Sequence, residues 1–353
     1  MVSKLLEDNE KLVIEFGAKR IQEIKKLPNF YTFNKNLIYS HRDFDVFLNA
    51  LQKGEKCAIV SGVNASGTLH LGHKVVFDTN LFFQKEYNLP VFIPISDDES
   101  FVAGKVKTQE EAKKNAMRLA KEMLAYGFDP NKTFFIIDNI YTNIYNFAFK
   151  TSTKINYSEI KSTYGYSPDQ NIGLHFYPAV QAAHILLPFE KLGIKNILVP
   201  IGPDEDAHFR IARDIAGKLG IQKPSTIHLK FIPGLDGQKA SKSKNNAIFL
   251  NDSPEILKKK CGKALSGGKE TIKEHRQHGG NPEKDISCQY LSNFIYDKNQ
   301  TEKLFDKYRK GELLSGEVKE IFFKEFNKIL QNFQEGVKNI NLKDLEKMIL
   351  RNE

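Results

Sequence analysis

Four short apolar runs recur between residues 55 and 235, and stretches with helical spacing separate them. The runs are Cys57-Ala-Ile-Val-Ser-Gly62, Val91-Phe-Ile-Pro-Ile-Ser96, Phe134-Phe-Ile-Ile-Asp138 and Asn196-Ile-Leu-Val-Pro-Ile201. Their apolar residues continue without polar alternation, the pattern of strands buried on both faces. Pro94 sits awkwardly in such a strand, because it has no N–H to give a ladder. Residues 108–127 read as one connecting helix, with a threonine cap, early glutamates, helical apolar spacing and a terminal glycine. Strand, helix, strand repetition of this kind builds a doubly wound parallel α/β sheet.

After about residue 250 the strand-like runs stop. Asp252-Ser253-Pro254-Glu255 has the form of a helix start, and residues 303–351 are rich in lysine and glutamate with Leu, Ile and Phe at helical spacing. The expected organisation is an appendage at residues 1–40, a sheet domain with a connective insertion at 41–250, and an all-helical domain at 251–353. A length of 353 residues suits two domains better than one of ~100–200 residues. With 41% hydrophobic and 27% charged residues the chain can bury a sizeable core. No stretch approaches ~18 uncharged apolar residues, and the start carries acids among its apolar residues, so neither a membrane span nor secretion is expected. Cys57, Cys261 and Cys288 are odd in number and lack metal-ligand spacing, which fits a reducing cytoplasm and no zinc site.

The net charge of +9 is unevenly placed. Between Lys239 and Gly279 ten Lys and Arg face four acids, so most of the excess lies in about an eighth of the chain. Such a patch suits a polyanion, though charged runs are most often solvated helix faces.

Two local features carry chemistry. The first is Ser61-Gly62-Val63-Asn64-Ala65-Ser66-Gly67-Thr68-Leu69-His70-Leu71-Gly72-His73, directly after the first expected strand. Small residues there let backbone approach a phosphate, and a helix start offers unpaired N–H groups. His70 and His73 are three apart and share a helix face, with Gly72 leaving room for a flat ring. The pair could donate to a phosphate or form part of a metal site, although zinc needs at least three protein ligands. The second is Lys239-Ala240-Ser241-Lys242-Ser243-Lys244, after the run Ile227 to Pro233 and the turn Gly234-Leu235-Asp236-Gly237. A lysine-serine loop can cover a triphosphate, or can be an exposed basic loop.

Together, HxGH after an early strand and KxSKS after a late one resemble the HIGH and KMSKS motifs of class I aminoacyl-tRNA synthetases. Further segments narrow the likeness to the archaeal and eukaryotic tryptophanyl-tRNA synthetase family. His41-Arg42-Asp43-Phe44-Asp45 resembles its HRD(Y/F)D, Asp97-Asp98-Glu99 its TDDEK, and Gly127 to Thr133 its GFDxxKT. Pro178 to Ala183 resembles PAIQAA, and Pro203 to Arg210 resembles IDQDPxFR. Ser266 to Asn281 resembles SGGRxTxxEHRxxGGN.

The resemblance implies a Rossmann-type doubly wound sheet with a C-terminal helical anticodon-binding domain. It implies ATP-dependent activation of tryptophan and transfer to tRNA, with ATP and Mg²⁺ required, tRNA and a free amino acid as partners, and a cytoplasmic homodimer. By similarity His70, His73, Lys239 and Lys242 would be catalytic. Ser66, Gly67, Gly72, Asp204, Ser241 and Ser243 would bind ATP, with Asp204 on the ribose. Val60, Pro94, Glu99, Gln181 and Glu205 would line the amino-acid pocket. The chain departs from the family pattern at Val60, where a Tyr is usual, at Pro94 and Glu205, where a Gln is usual, and at Val63 and Ala240. The first two usually contact the indole N–H. A paralogue activating another amino acid, tyrosine first, is therefore the main alternative. A small-molecule nucleotidyltransferase would not need the helical domain, and a non-catalytic tRNA-binding protein would not need both histidines.

Overall fold

The computed structural model describes residues 11–240 and 244–352. They divide into two compact units. One holds residues 11–67, Val75–Lys230 and residues 339–352, and the other holds Thr68–Lys74 and Phe231–Lys338.

The first unit is built on strands β1 (Lys19–Arg20), β2 (Ile38–Arg42), β3 (Cys57–Val60), β4 (Val63–Asn64), β5 (Val91–Ser96), β6 (Thr133–Ile137), β7 (Asn196–Ile201) and β8 (Ser225–Leu229). They are ordered β1-β2-β8-β7-β3-β5-β6, with β4 following β3 along β5. From β8 to β6 every pairing is parallel, whereas β1 and β2 run antiparallel. The chain winds from β3 outward through β5 to β6, then returns to the other side of β3 as β7. This reversal makes the crevice beyond the carboxyl ends of β3 and β7 the ligand position of a doubly wound sheet.

Pro94 does lie in a central strand, paired with Ile136. Along β5, the carbonyls of Pro90 and Phe92 accept from Ile59 and Ser61, and that of Ser96 accepts from Ala65. By alternation Pro94 also faces this side, where the partner ladder breaks between Val60 and Val63. Its missing N–H therefore removes no regular ladder bond.

The helices of this unit are α1 (Tyr31–Asn34), α2 (Phe44–Gln52), α3 (Leu71–Tyr87), whose first turn falls in the second unit, α4 (Asp97–Val102), α5 (Gln109–Tyr126), α6 (Ile144–Ser152), α7 (Tyr157–Tyr164), α8 (Ile172–Leu192) and α9 (Asp206–Lys218). Helix α5 starts and stops where its sequence indicates, with Thr108 accepting from the Glu111 N–H and Gly127 left-handed at φ 109°. Ala58, Val60, Phe92 and Ile136 pack with Val180, Ala183 and Leu186 of α8 and Phe209 of α9. A second cluster joins the rings of Phe33, Phe44, Phe47 and Phe83 at centroid separations of 5.8 to 6.4 Å. Truncating one such ring to alanine costs about 3–5 kcal/mol.

The second unit is helical: α10 (Pro254–Lys263), α11 (Ile272–His278), α12 (Ile286–Phe294), α13 (Lys298–Arg309) and α14 (Ser315–Lys338). Ser253 caps α10, as the Asp-Ser-Pro-Glu start suggests. Tyr290, Phe294, Phe322 and Phe326 form its aromatic core.

The boundaries differ from those expected of the sequence. Residues 19–42 are not an appendage, because β1 and β2 extend the sheet and Phe33 enters the ring cluster. Residues 231–250 group with the helices. The last helix, α15 (Leu342–Met348), returns to the sheet: Leu350 donates to the Phe135 carbonyl at 2.9 Å and Asn352 Nδ2 to Thr142 Oγ1 at 2.7 Å. No described helix is long and apolar enough to cross a membrane.

Candidate functional site

The expected site residues fall in both units, and each group is built separately. In the first unit the loop after β3 is held open by side chains. Asn64 Oδ1 accepts from the Ser66 N–H at 3.1 Å and from Ser100 Oγ at 2.9 Å. Arg118 donates to the Gly67 carbonyl at 2.8 Å while pairing with Glu122 at 2.6 Å. The backbone around Ser66 and Gly67 is thus fixed before any ligand arrives, which suits a phosphate cradle.

In the second unit, Leu69, His70 and Leu71 line up antiparallel to residues 248–250. Leu71 donates to Ile248 at 3.0 Å and Leu250 to Leu69 at 2.9 Å. His70 therefore stands just before α3, with His73 in its first turn. The His70 ring folds over Gly72, whose N–H donates to His70 Nδ1 at 3.0 Å. A Cβ at position 72 would lie 2.7 Å from two atoms of that ring, so only glycine leaves the ring its place. The two imidazoles are 4.0 Å apart, centroid to centroid. Burial, with His73 adding to it, pushes His70 down to about 3; burial pushes His73 down to about 4, partly offset by its bond to the His70 backbone. Both rings are neutral at pH 7. With Nδ1 of His70 accepting, its Nε2 carries the proton, so this ring offers an uncharged N–H donor.

Lys239 sits at the end of the loop that Pro233 opens, the two forming a bridge. Its Nζ lies 4.0 Å from the Phe231 ring centre, a cation–π contact. Asn246 threads the loop, donating to the Lys239 carbonyl at 3.1 Å and to Asp236 at 2.8 Å. A Cβ on Gly234 would meet Asn246 at 2.5 Å, so that glycine serves close packing. Ser241, Lys242 and Ser243 lie outside the described residues.

The residues expected to line the amino-acid pocket all belong to the first unit. Val60 is 1% exposed and belongs to the core, at the end of β3, and Pro94 is buried on β5. Two residues along from Pro94, Ser96 Oγ accepts from Tyr177 of α8 at 3.0 Å. Glu99, in the first turn of α4, pairs with Lys105 at 2.6 Å. Gln181 accepts from the Tyr164 hydroxyl at 2.8 Å, and the Tyr164 ring stacks 4.2 Å from that of His208, which lies 3.4 Å from Glu205. This chain of contacts joins Gln181 to Glu205. Asp204 and Glu205 form a 3-10 turn at the carboxyl end of β7, and Glu205 stands at the start of α9 with no side-chain cap bond.

Residues 52–331 match the family described as tRNA synthetases class I (W and Y). The tryptophan–tRNA ligase of Saccharolobus solfataricus is 36% identical over 337 residues, covering 92% of this chain and 87% of the relative. That of Thermococcus onnurineus is 34% identical over 353 residues, covering 96% and 90%. The crystal structure of tryptophanyl-tRNA synthetase from Aeropyrum pernix superposes with a TM-score of 0.89 at 29% identity, covering 98% of this chain and 97% of that one. The chain belongs to the class I tRNA synthetases. Family members of the W and Y group share its Rossmann architecture, and the fold expected from the alternating runs is the fold observed.

Several motifs that mark the synthetase in sequence turn out to hold the fold. Arg42 grips Asp206 with two bonds of 2.7 and 2.8 Å, and His228 adds a contact of 3.0 Å. Burial alone would raise the Asp206 carboxyl, but bonds from His228 and Arg42 hold it well below the usual range. Asp43 takes Arg213 at 2.6 Å. The Asp206 bonds brace the start of α9, immediately after Asp204 and Glu205, and the Asp43 pair ties down its second half. In the Ser266 to Asn281 segment, a Cβ on Gly267 would fall 1.9 Å from the Asn281 carbonyl, and Thr271 with Glu274 makes a capping box. Asn64, Ser100, Arg118, Tyr164, Tyr177 and His208 were not singled out by sequence. Only the Arg118–Glu122 spacing of four was a readable signal.

Proposed function

We propose that this chain activates tryptophan with ATP and transfers it to tRNA. The observation that carries this reading is the neutral His70–His73 pair packed on Gly72 at the start of α3. Relatives named tryptophan–tRNA ligase match along nearly the whole chain and support it.

In the first step the tryptophan carboxylate attacks the α-phosphorus and pyrophosphate leaves. In the second a ribose hydroxyl of the tRNA 3′ adenosine attacks the acyl carbon and AMP leaves. No side-chain nucleophile is needed, so the work is positioning and electrostatic stabilisation. His70 and His73 donate uncharged N–H groups to oxygens that gain charge. Ser66, Gly67 and Gly72 present backbone to the nucleotide, and Asp204 accepts from its ribose. Lys239, Ser241, Lys242 and Ser243 cover the triphosphate. None of these phosphate-facing residues is a carboxylate, which fits a metal carried by the triphosphate; Mg²⁺ supplies charge shielding of the leaving pyrophosphate. Glu99, Gln181 and Glu205 bind the amino acid, with Val60 and Pro94 as apolar walls.

The exposed Lys258, Lys259, Lys263, Lys269 and Lys273 suit tRNA phosphates, with the helical unit as the anticodon-binding domain. A homodimer is supported by the apolar surface of Phe149 (64% exposed), Ile172 (80%) and Tyr157 (44%). A cytoplasmic location fits the three free, buried cysteines. Pyrophosphate exchange into ATP, run with tryptophan and separately with tyrosine, tests the assignment. Exchange with tryptophan is expected; exchange with tyrosine alone would overturn it.

A further inference from the structure

Three carboxylates gather at the carboxyl ends of β5 and β6. Asp97 and Asp98 start α4, Asp138 follows β6, and one oxygen from each lies within 4.8 Å of the others. Asp97 and Asp138 are fully buried and Asp98 partly so.

The groups around them donate. Asp97 Oδ1 accepts from the Asp138 N–H at 2.8 Å, and its Oδ2 from Asn139 Nδ2 at 2.8 Å. Asp98 accepts from the Glu99 N–H at 2.6 Å and from the Tyr145 hydroxyl at 3.3 Å. Asp138 Oδ1 lies 2.7 Å from His184 Nε2. The second oxygen, Asp138 Oδ2, is buried, and no donor among the described residues reaches it. The Asp138 carboxyl is in contact with that of Asp98. Among the described residues no Lys or Arg pairs with any of the three.

Carboxylates collected away from water without a countercharge are strongly unfavourable. Either protons or a cation must complete the cluster, and donors already point at the other oxygens as they would toward ionised carboxylates. We propose that Asp97, Asp98 and Asp138 hold a divalent cation, with His184 orienting Asp138 from behind. An all-oxygen donor set selects a hard ion. Three oxygens within 4.8 Å of one another can share one such ion, whose ligands lie at about 2.3–2.6 Å for Ca²⁺ and about 2.1 Å for Mg²⁺. The ion ties the ends of β5 and β6 together beside Glu99. It is separate from any metal carried by ATP and does not rest on the ligase reading.

The test uses the full chain, stripped with EDTA and free of nucleotide, titrated with Ca²⁺, Mg²⁺ and Mn²⁺. Thermal midpoint is followed for each ion, and free Mn²⁺ by electron paramagnetic resonance. Expected are one Mn²⁺ bound per chain, a midpoint that rises with cation, loss of both in Asp138→Asn and in Asp98→Asn, and about 10- to 100-fold weaker binding in His184→Gln. If one Asn variant fails to fold, the wild-type titration and the other variant decide. No Mn²⁺ bound at about 1 mM would overturn the proposal. So would binding that both Asn variants retain, which marks an adventitious ion only. A third contrary result is an Asp138→Asn protein with a raised midpoint and a wild type indifferent to cations, the signature of a shared proton. Tryptophan-dependent exchange, measured in parallel, reports separately on the ligase reading.

Discussion

Gly72→Ala perturbs the histidine pair with a single methyl group. The new Cβ would lie 2.7 Å from Cε1 and Nδ1 of His70, well inside van der Waals contact. The obstacle is the far end of a side chain, so the ring can swing aside at small cost to folding. Alanine also favours the helix over glycine by up to about 1 kcal/mol, and the two effects leave net stability within about 1 kcal/mol of the parent. Function has no such compensation. The swing breaks the 3.0 Å bond from the Gly72 N–H to Nδ1 and moves Nε2 from its aimed position. Loss of one preorganised donor is worth about 2.7–4 kcal/mol, or about 10² to 10³ in rate. Tryptophan-dependent pyrophosphate exchange should fall by that factor while the thermal midpoint stays within a few degrees. Exchange at the parent rate would refute the assigned role of the pair. An equally large loss of midpoint would refute the claim that position 72 acts on chemistry rather than folding.

Five other outcomes follow from the geometry. With His70 and His73 at about 3 and about 4, exchange should show no inflection near pH 6.5. Their folded values lie below the ordinary one, so the unfolded chain binds protons first; stability measured by urea midpoint should fall as pH drops from about 6.5 toward 4. Tyr164→Phe removes the donor to Gln181 and should raise KM for tryptophan severalfold with KM for ATP unchanged in steady-state exchange. Asp206→Asn unpairs Arg42 and should cost about 3–5 kcal/mol in urea unfolding. Gly267→Ala, with its Cβ 1.9 Å from a backbone carbonyl, should lower the thermal midpoint sharply, since backbone cannot step aside as a side chain can.

Strands β3, β5, β6 and β7 were legible because burial on both faces writes itself as uninterrupted apolar runs. Strand β2 was not, since its Ser40, His41 and Arg42 are polar; Ser40 and Arg42 bond to His228 and Asp206, more than a hundred residues away. Helix α15 carries the same lysine, glutamate and leucine pattern as α14, and nothing local tells which core each joins. The HxGH segment was readable for the opposite reason: His70, Gly72 and His73 act on one another across three residues. The contacts joining Gln181, Tyr164, His208 and Glu205 form only when α7, α8 and α9 come together. In the Ser266 to Asn281 segment the glycines mark close backbone approaches.

The return of α15 to the sheet also sets an order of events during synthesis. Strand β6 lies at the edge of the sheet, and its Phe135 pairs with Ile349. Everything in Phe231–Lys338 is translated between the completion of the sheet strands and the arrival of that partner. At roughly 5–20 residues per second the exposed rim waits on the order of ten seconds. A ribosome stalled within that interval would carry a nascent sheet with one margin uncovered, open to a chaperone or to another unfinished chain.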